Sequence, residues 1–151
     1  MTGTEPINEI VLPGLKLFRR GKVRDVYEID DEHLLVVATD RVSAFDCILP
    51  TRIARKGEVL TALSRFWFER LAQVTPHHLV TTEVERMPDV VRAYADVLRG
   101  RSMLVRRTQV FPVECVVRGY LAGSGWKDYQ HTGEVCGQRL PEGMLESDKL
   151  P

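Results

Sequence analysis

Three short runs of apolar and β-branched residues stand almost back to back: Lys16–Arg20, Val23–Ile29 and His33–Thr39. Only Gly21 and the cluster Asp30-Asp31-Glu32 punctuate them. Connections this short cannot hold a crossover helix, so neighbouring runs must pair antiparallel. The spacing predicts two adjacent hairpins of one sheet. From Glu58 to Gln73 the period changes, and Leu60, Leu63, Trp67 and Leu71 fall on one helical face with Val59 and Phe66 beside them. Pro76 ends that helix. A strand over Leu79–Thr82 and a helix over Asp89–Leu98, stopped at Gly100, come next. Ser102–Leu121 is again strand-like, with Met103–Val105 and Val113–Val117 separated by Arg106, Arg107 and Pro112, the pattern of a hinge between lobes. Ala122–His131 reads as a helix entered through glycines, and Cys136–Pro151 shows no strong period. The class this implies is α+β, an antiparallel sheet with helices packed on it.

Composition narrows the functional classes. Twenty-one basic and 21 acidic residues cancel, which argues against a general affinity for nucleic acid or anionic membrane. The longest apolar run, Leu34–Ala38, is far short of the ~20 residues of a membrane span. Met1–Ile10 is polar and carries two glutamates, unlike a signal segment. Cys47, Cys115 and Cys136 are odd in number and widely spaced, which speaks against disulfides or zinc and for a reducing, cytoplasmic setting. The tail at Pro151 is poor in apolar residues and reads as a chain cut short.

Three segments could carry chemistry. Arg19-Arg20-Gly21-Lys22-Val23-Arg24 sets basic residues around a glycine where a phosphate could approach the backbone, although a lone hairpin glycine is also simply a turn. Thr39-Asp40-Arg41-Val42-Ser43-Ala44-Phe45-Asp46 puts carboxylates, a hydroxyl and a guanidinium at a strand end. It reads equally as a turn in which Asp40 and Ser43 bond local backbone, with an Asp40–Arg41 or Asp46–arginine pair. In the third, Val110–Trp126, Glu114 and Arg118 would share one face of a strand. Gly123-Ser124-Gly125 then opens a helix whose free N–H groups favour an anion. An internal Glu114–Arg118 salt bridge is the plainer alternative. No histidine spacing suggests a metal, and no nucleophile–base pair announces itself.

GKVRDVY (Gly21–Tyr27), DRVSAFD (Asp40–Asp46) and FPVECVVRGYLAGSG (Phe111–Gly125) together closely resemble the phosphoribosylaminoimidazole-succinocarboxamide synthase (SAICAR synthetase) family, over about residues 16–148. The resemblance implies a kinase/ATP-grasp-like small lobe with antiparallel sheet, plus the start of a second α+β lobe. The divisions expected are an amino-terminal extension over 1–15, an ATP-binding small lobe over 16–108 and the beginning of a larger lobe over 109–151. It implies an ATP-dependent amide ligase of purine biosynthesis joining L-aspartate to the carboxylate of carboxyaminoimidazole ribonucleotide. On the matching positions, Gly21, Lys22, Val23, Arg24 and Val26 would cover ATP, and Val105 and Arg106 in the hinge would meet the adenine through backbone groups. Asp46, Arg118 and Ser124 would bind the imidazole nucleotide. No side chain is assigned a covalent role, because positioning and charge neutralisation suffice for an acyl-phosphate route.

ATP with Mg2+ is the implied cofactor. The family's D-x-K-x-E-F-G signature, which supplies a metal carboxylate, has no counterpart before Pro151. The metal ligands are therefore expected in a carboxy-terminal half, and this chain alone is expected to be an incomplete catalytic unit. A homo-oligomer is left open. Two rival readings are a non-catalytic nucleotide-binding module of the same descent and a kinase-like phosphotransferase. The first has no need of Asp46, Arg118 and Ser124; the second lacks H-R-D-x-x-x-x-N and D-F-G elements.

Overall fold

The protein is described by a computed structural model covering residues 5–113 and 115–151. It divides into two compact units, one through Gln109 and one from Val110. The first unit holds strands β1 (Lys16–Arg20), β2 (Arg24–Glu28), β3 (His33–Ala38), β4 (Ser43–Ala44) and β5 (Cys47–Ile48). Helix α1 (Lys56–Leu71), β6 (Leu79–Thr81), the short helices α2 (Asp89–Arg92) and α3 (Ala95–Leu98), and β7 (Ser102–Arg106) follow. The two expected hairpins form, and the sheet order is β1-β2-β3-β7-β6, antiparallel throughout. The hinge-side strand β7 thus lies inside the sheet, between β3 and β6.

The register sorts the sheet's side chains onto two different faces. Tyr27 lies opposite Leu35 and Leu35 opposite Leu104, and this set is buried. Ile10, Leu12, Val84, Met87, Val91 and Leu98 complete that core. Within the amino-terminal extension expected over 1–15, Ile10 and Leu12 are core residues. On the other face, Val26 pairs with Val36, Val36 with Met103, Leu34 with Val105, and Arg24 with Ala38. Helix α1 stands over one end of this second face. Its stripe of Leu60, Leu63, Trp67 and Leu71 is only half-buried, between 41% and 53% exposed, and just Gly57 and Thr61 of the helix are buried.

The helix expected over Asp89–Leu98 is two four-residue helices. Its break at Tyr94 lets that hydroxyl reach the Pro13 carbonyl while Val91 and Leu98 both enter the core. Among the described residues, none of the helices is long and apolar enough to cross a membrane.

The second unit holds α4 (Ser124–Thr132), β8 (Glu134–Val135) and β9 (Gln138–Arg139). The strand expected over Val113–Val117 does not form among the described residues. Val113, Val116 and Val117 are exposed, and no ladder pairs with them. Glu114, on which the same-face reading with Arg118 depended, lies outside the described residues. The tail has more order than its lack of period suggested. Leu121 donates to the Asp148 carbonyl at 2.8 Å, Ser147 to Leu121 at 2.8 Å and Leu150 to Gly119 at 3.1 Å. These bonds enclose Leu121, which is fully buried.

Candidate functional site

Between α1 and the second sheet face lies a cavity of about 650 Å³, within the size range of small-molecule pockets. Val23, Ala38 and Met103 form its sheet-side wall, and Leu60, Leu63, Trp67 and Phe68 its helix side. Two buried polar atoms on its lining residues, Thr61 Oγ1 and His77 Nδ1, have no hydrogen-bond partner among the described residues. An apolar slot with unpaired polar atoms suits a flat heteroaromatic ring. Arg24 also lines it, and no ion pair or hydrogen bond engages the Arg24 side chain among the described residues. Lys56 stands near: burial pushes its ammonium below the ordinary lysine range, and Arg24 and Arg41 push the same way against the opposing pull of Asp40. An unpaired guanidinium on the wall of an apolar cavity suits an anion.

Val26 and Val105 belong to the same sheet face as the cavity but do not line it, and Gly21, Lys22 and Arg106 lie outside its lining. The Arg106 amide donates to the His78 carbonyl at 2.8 Å and the Arg107 amide to Glu32 at 2.6 Å. Those two hinge donors are therefore already engaged within the fold.

The GKVRDVY and DRVSAFD segments lock together. The Arg41 guanidinium reaches Asp25 Oδ1 at 2.8 Å, and both groups are buried. Lys22 pairs with Asp46, holding the Asp46 carboxyl below the ordinary range. Asp46 and Phe45 form the turn of the β4–β5 hairpin with φ of 68° and 48°, the left-handed pair of a mirror-image turn. Two non-glycine residues there are strained, by about 1–2 kcal/mol each. Spacing alone allows either a cleft-lining strand end or a turn of local bonds here, and neither reading names the hairpin.

Asp40 makes none of the local bonds expected of it. Its carboxylate accepts the Ile7 amide at 2.8 Å, the Gly57 amide at 2.9 Å and Arg101 at 3.1 Å. Arg101 continues to Glu58 at 3.0 Å. Burial opposes ionisation of Asp40, but the two amides and Arg101 outweigh it, and its carboxyl sits below the ordinary carboxylate range. Asp40 thus caps α1 from 17 residues away, which fixes the helix wall of the cavity against β3.

In the second unit the structure brings Arg118 and Ser124 together. Arg118 donates to Ser124 Oγ at 2.8 Å and to the Ala122 carbonyl at 3.2 Å, and its side chain lies 3.4 Å from where a Cβ on Gly125 would stand. A guanidinium laid on the first turn of α4 concentrates positive potential there, the arrangement of an anion site. Among the described residues no group of three or more His, Cys, Asp or Glu converges on a metal position.

Comparison with known proteins decides the lineage. The SAICAR synthetase family profile matches residues 17–151. A phosphoribosylaminoimidazole-succinocarboxamide synthase of Thermodesulfovibrio yellowstonii is 58% identical over 143 residues, covering 95% of this chain and 49% of that protein. The chain belongs to the SAICAR synthetase family. A relative from Syntrophotalea carbinolica is 57% identical over 92% of this chain and 47% of its own length. Among solved structures, a SAICAR-synthase from Saccharomyces cerevisiae complexed with SAICAR superposes with a TM-score of 0.86 at 43% identity, covering 96% of this chain and 51% of that one. A type-2 SAICAR synthetase in complex with ADP gives 0.57 at 26% identity, over 82% and 46%. The chain spans about half the length of the curated relatives it matches.

Sequence reading within the family's motifs missed Lys56, Thr61 and Met103. Lys56 is 32 positions from Arg24, and only the return of α1 over the sheet brings it near. Met103 looked like an ordinary strand residue, and nothing in its spacing marks which sheet face is open.

Proposed function

We propose that this chain supplies the nucleotide-binding part of an ATP-dependent ligase that joins L-aspartate to the carboxylate of carboxyaminoimidazole ribonucleotide. The observation that carries the reading is the match over residues 17–151 to a family whose curated members are named for that product. The adenine lies in the cavity against Val23, Ala38 and Met103, and Arg24, Lys56 and the Gly21–Lys22 turn face the phosphates. Met103, Ala38 and Val23 offer the flat apolar contact a purine requires, which supports this placement.

The chemistry needs no side-chain nucleophile. A carboxylate oxygen of the imidazole nucleotide attacks the γ-phosphorus, the bond to the bridging oxygen breaks, and ADP leaves with its electrons. The aspartate amine then attacks the acyl carbon, and the carbon–oxygen bond to phosphate breaks. Phosphate departs with that electron pair, and the amine proton passes to phosphate or water. Arg118 and Ser124 hold anionic groups of the imidazole nucleotide, and Asp46 orients its ring or amine. These residues bind and orient; they do not become covalently attached. Mg2+, when bound, would neutralise charge on the β- and γ-phosphates.

A chimera tests this. Residues 1–151 replace the aligned half of the Thermodesulfovibrio yellowstonii relative, and ADP release is followed with each substrate omitted in turn. ADP release that requires both L-aspartate and the carboxylated imidazole nucleotide is expected. A folded chimera that releases ADP without aspartate, or not at all, contradicts the proposal.

A further inference from the structure

Arg41 is buried and spends its guanidinium on four acceptors. Its Nε donates to the Lys22 carbonyl at 2.9 Å, its Nη2 to the Gly21 carbonyl at 3.0 Å and to Asp25 at 2.8 Å, and its Nη1 to the Asn8 carbonyl at 2.7 Å. Two of these acceptors are consecutive carbonyls of the turn between β1 and β2. In a trans peptide the N–H points opposite to the C=O of the same plane, and there is no cis bond among the described residues. Drawing the Gly21 and Lys22 carbonyls onto Arg41 therefore turns the Lys22 and Val23 amides the other way. Neither amide meets a backbone or side-chain acceptor among the described residues, whereas the Gly21 amide is tied to the Arg24 carbonyl at 2.7 Å. Two adjacent free amides aimed to one side form a concavity that accepts an anion.

We infer that Arg41 is a positioning residue for the polyphosphate: it fixes the turn so that the Lys22 and Val23 amides are presented to phosphate oxygens. The inference rests on the nucleotide reading above. Arg41 touches no ligand itself. It sets the plane of two peptides, with Asp25 neutralising its charge so that the guanidinium can stay buried. Lysine cannot replace it, because one ammonium on a flexible stem cannot serve two carbonyls, a carboxylate and a third carbonyl in one plane.

The test compares ATP with adenosine on the 151-residue chain, wild type against Arg41→Lys. Adenosine uses the cavity but not the turn. Loss of aligned hydrogen bonds to a charged ligand lowers ATP affinity by about tenfold while adenosine affinity stays unchanged. Equal loss for both ligands, or no loss for either, overturns the inference. Where Arg41→Lys does not fold, Asp25→Asn is read by the same ratio. A variant-free measurement stands beside these: in 15N spectra of the wild type, ATP and not adenosine should shift the Lys22 and Val23 amides together with the Arg41 Nε–H. Unmoved signals at ATP saturation also overturn it. A wild-type chain that binds neither ligand removes the nucleotide reading itself; one that prefers ATP but ignores Arg41→Lys removes only the role of Arg41.

Discussion

Asp40 shows how one buried carboxylate can organise parts of the chain that are remote in sequence. It joins the amino-terminal segment at Ile7, the start of α1 at Gly57 and the strand-entry residue Arg101. Because its carboxyl is held below the ordinary range, it binds fewer protons folded than unfolded at mildly acidic pH. Its contribution is full above the unfolded value, near pH ~4, and is lost as pH falls through the lower folded value. Asp30, Asp46 and Glu85 are shifted in the same direction but are exposed, so the wild-type curve alone cannot isolate Asp40. Asp40→Asn can. Urea unfolding at about pH 7 and about pH 3 should show the variant less stable at the higher pH and the gap to wild type narrowing at the lower. A gap that stays constant with pH would mean that Asp40 acts through shape alone.

At the scale of elements, the close approach of α1 to β3 sets the cavity's width. A Cβ on Gly57 would stand 2.3 Å from the Ala38 carbonyl oxygen and 2.9 Å from Arg101 Nη1. Alanine favours a helix over glycine by about 1 kcal/mol, but backbone cannot yield to a contact that short. The clash therefore wins, and Gly57→Ala should destabilise by roughly 1–3 kcal/mol, read as a lower Tm. An unchanged or raised Tm would show that the helix can shift away without cost. The stripe of Leu60, Leu63, Trp67 and Leu71 was legible from spacing as a helix face, and α1 follows it. What spacing could not reveal is that the face stands over an open cavity instead of a closed core. Periodicity reports which residues share a side, not what fills the space opposite.

For the whole molecule, the strands β1, β2 and β3 were legible because turn residues bracket apolar runs on a short local ladder. The segment Val113–Val117 carries the same apolar signal and forms no strand among the described residues, since a strand needs a partner that sequence pattern cannot name. The site divides in the same way. Lys22, Val23, Arg24, Arg118 and Ser124 are candidates that motifs single out, and the structure adds that Arg118 meets Ser124 and that Lys22 meets Asp46. Arg41, Lys56 and Met103 escaped because their roles arise from contacts across 15 to 80 positions, which only folding creates.

If the nucleotide occupies the open face of the sheet beneath α1, as proposed, the methionines report on it directly. Met103 lines that cavity, while Met87 lies in the closed core on the opposite side of the same sheet, 2% exposed. With 13C-methyl methionine in the 151-residue chain and ATP titrated to saturation, the Met103 methyl signal should move in a saturable way and that of Met87 should stay in place. A Met103 signal unmoved at saturation, or a shift at Met87 as large as that at Met103, would place the nucleotide elsewhere.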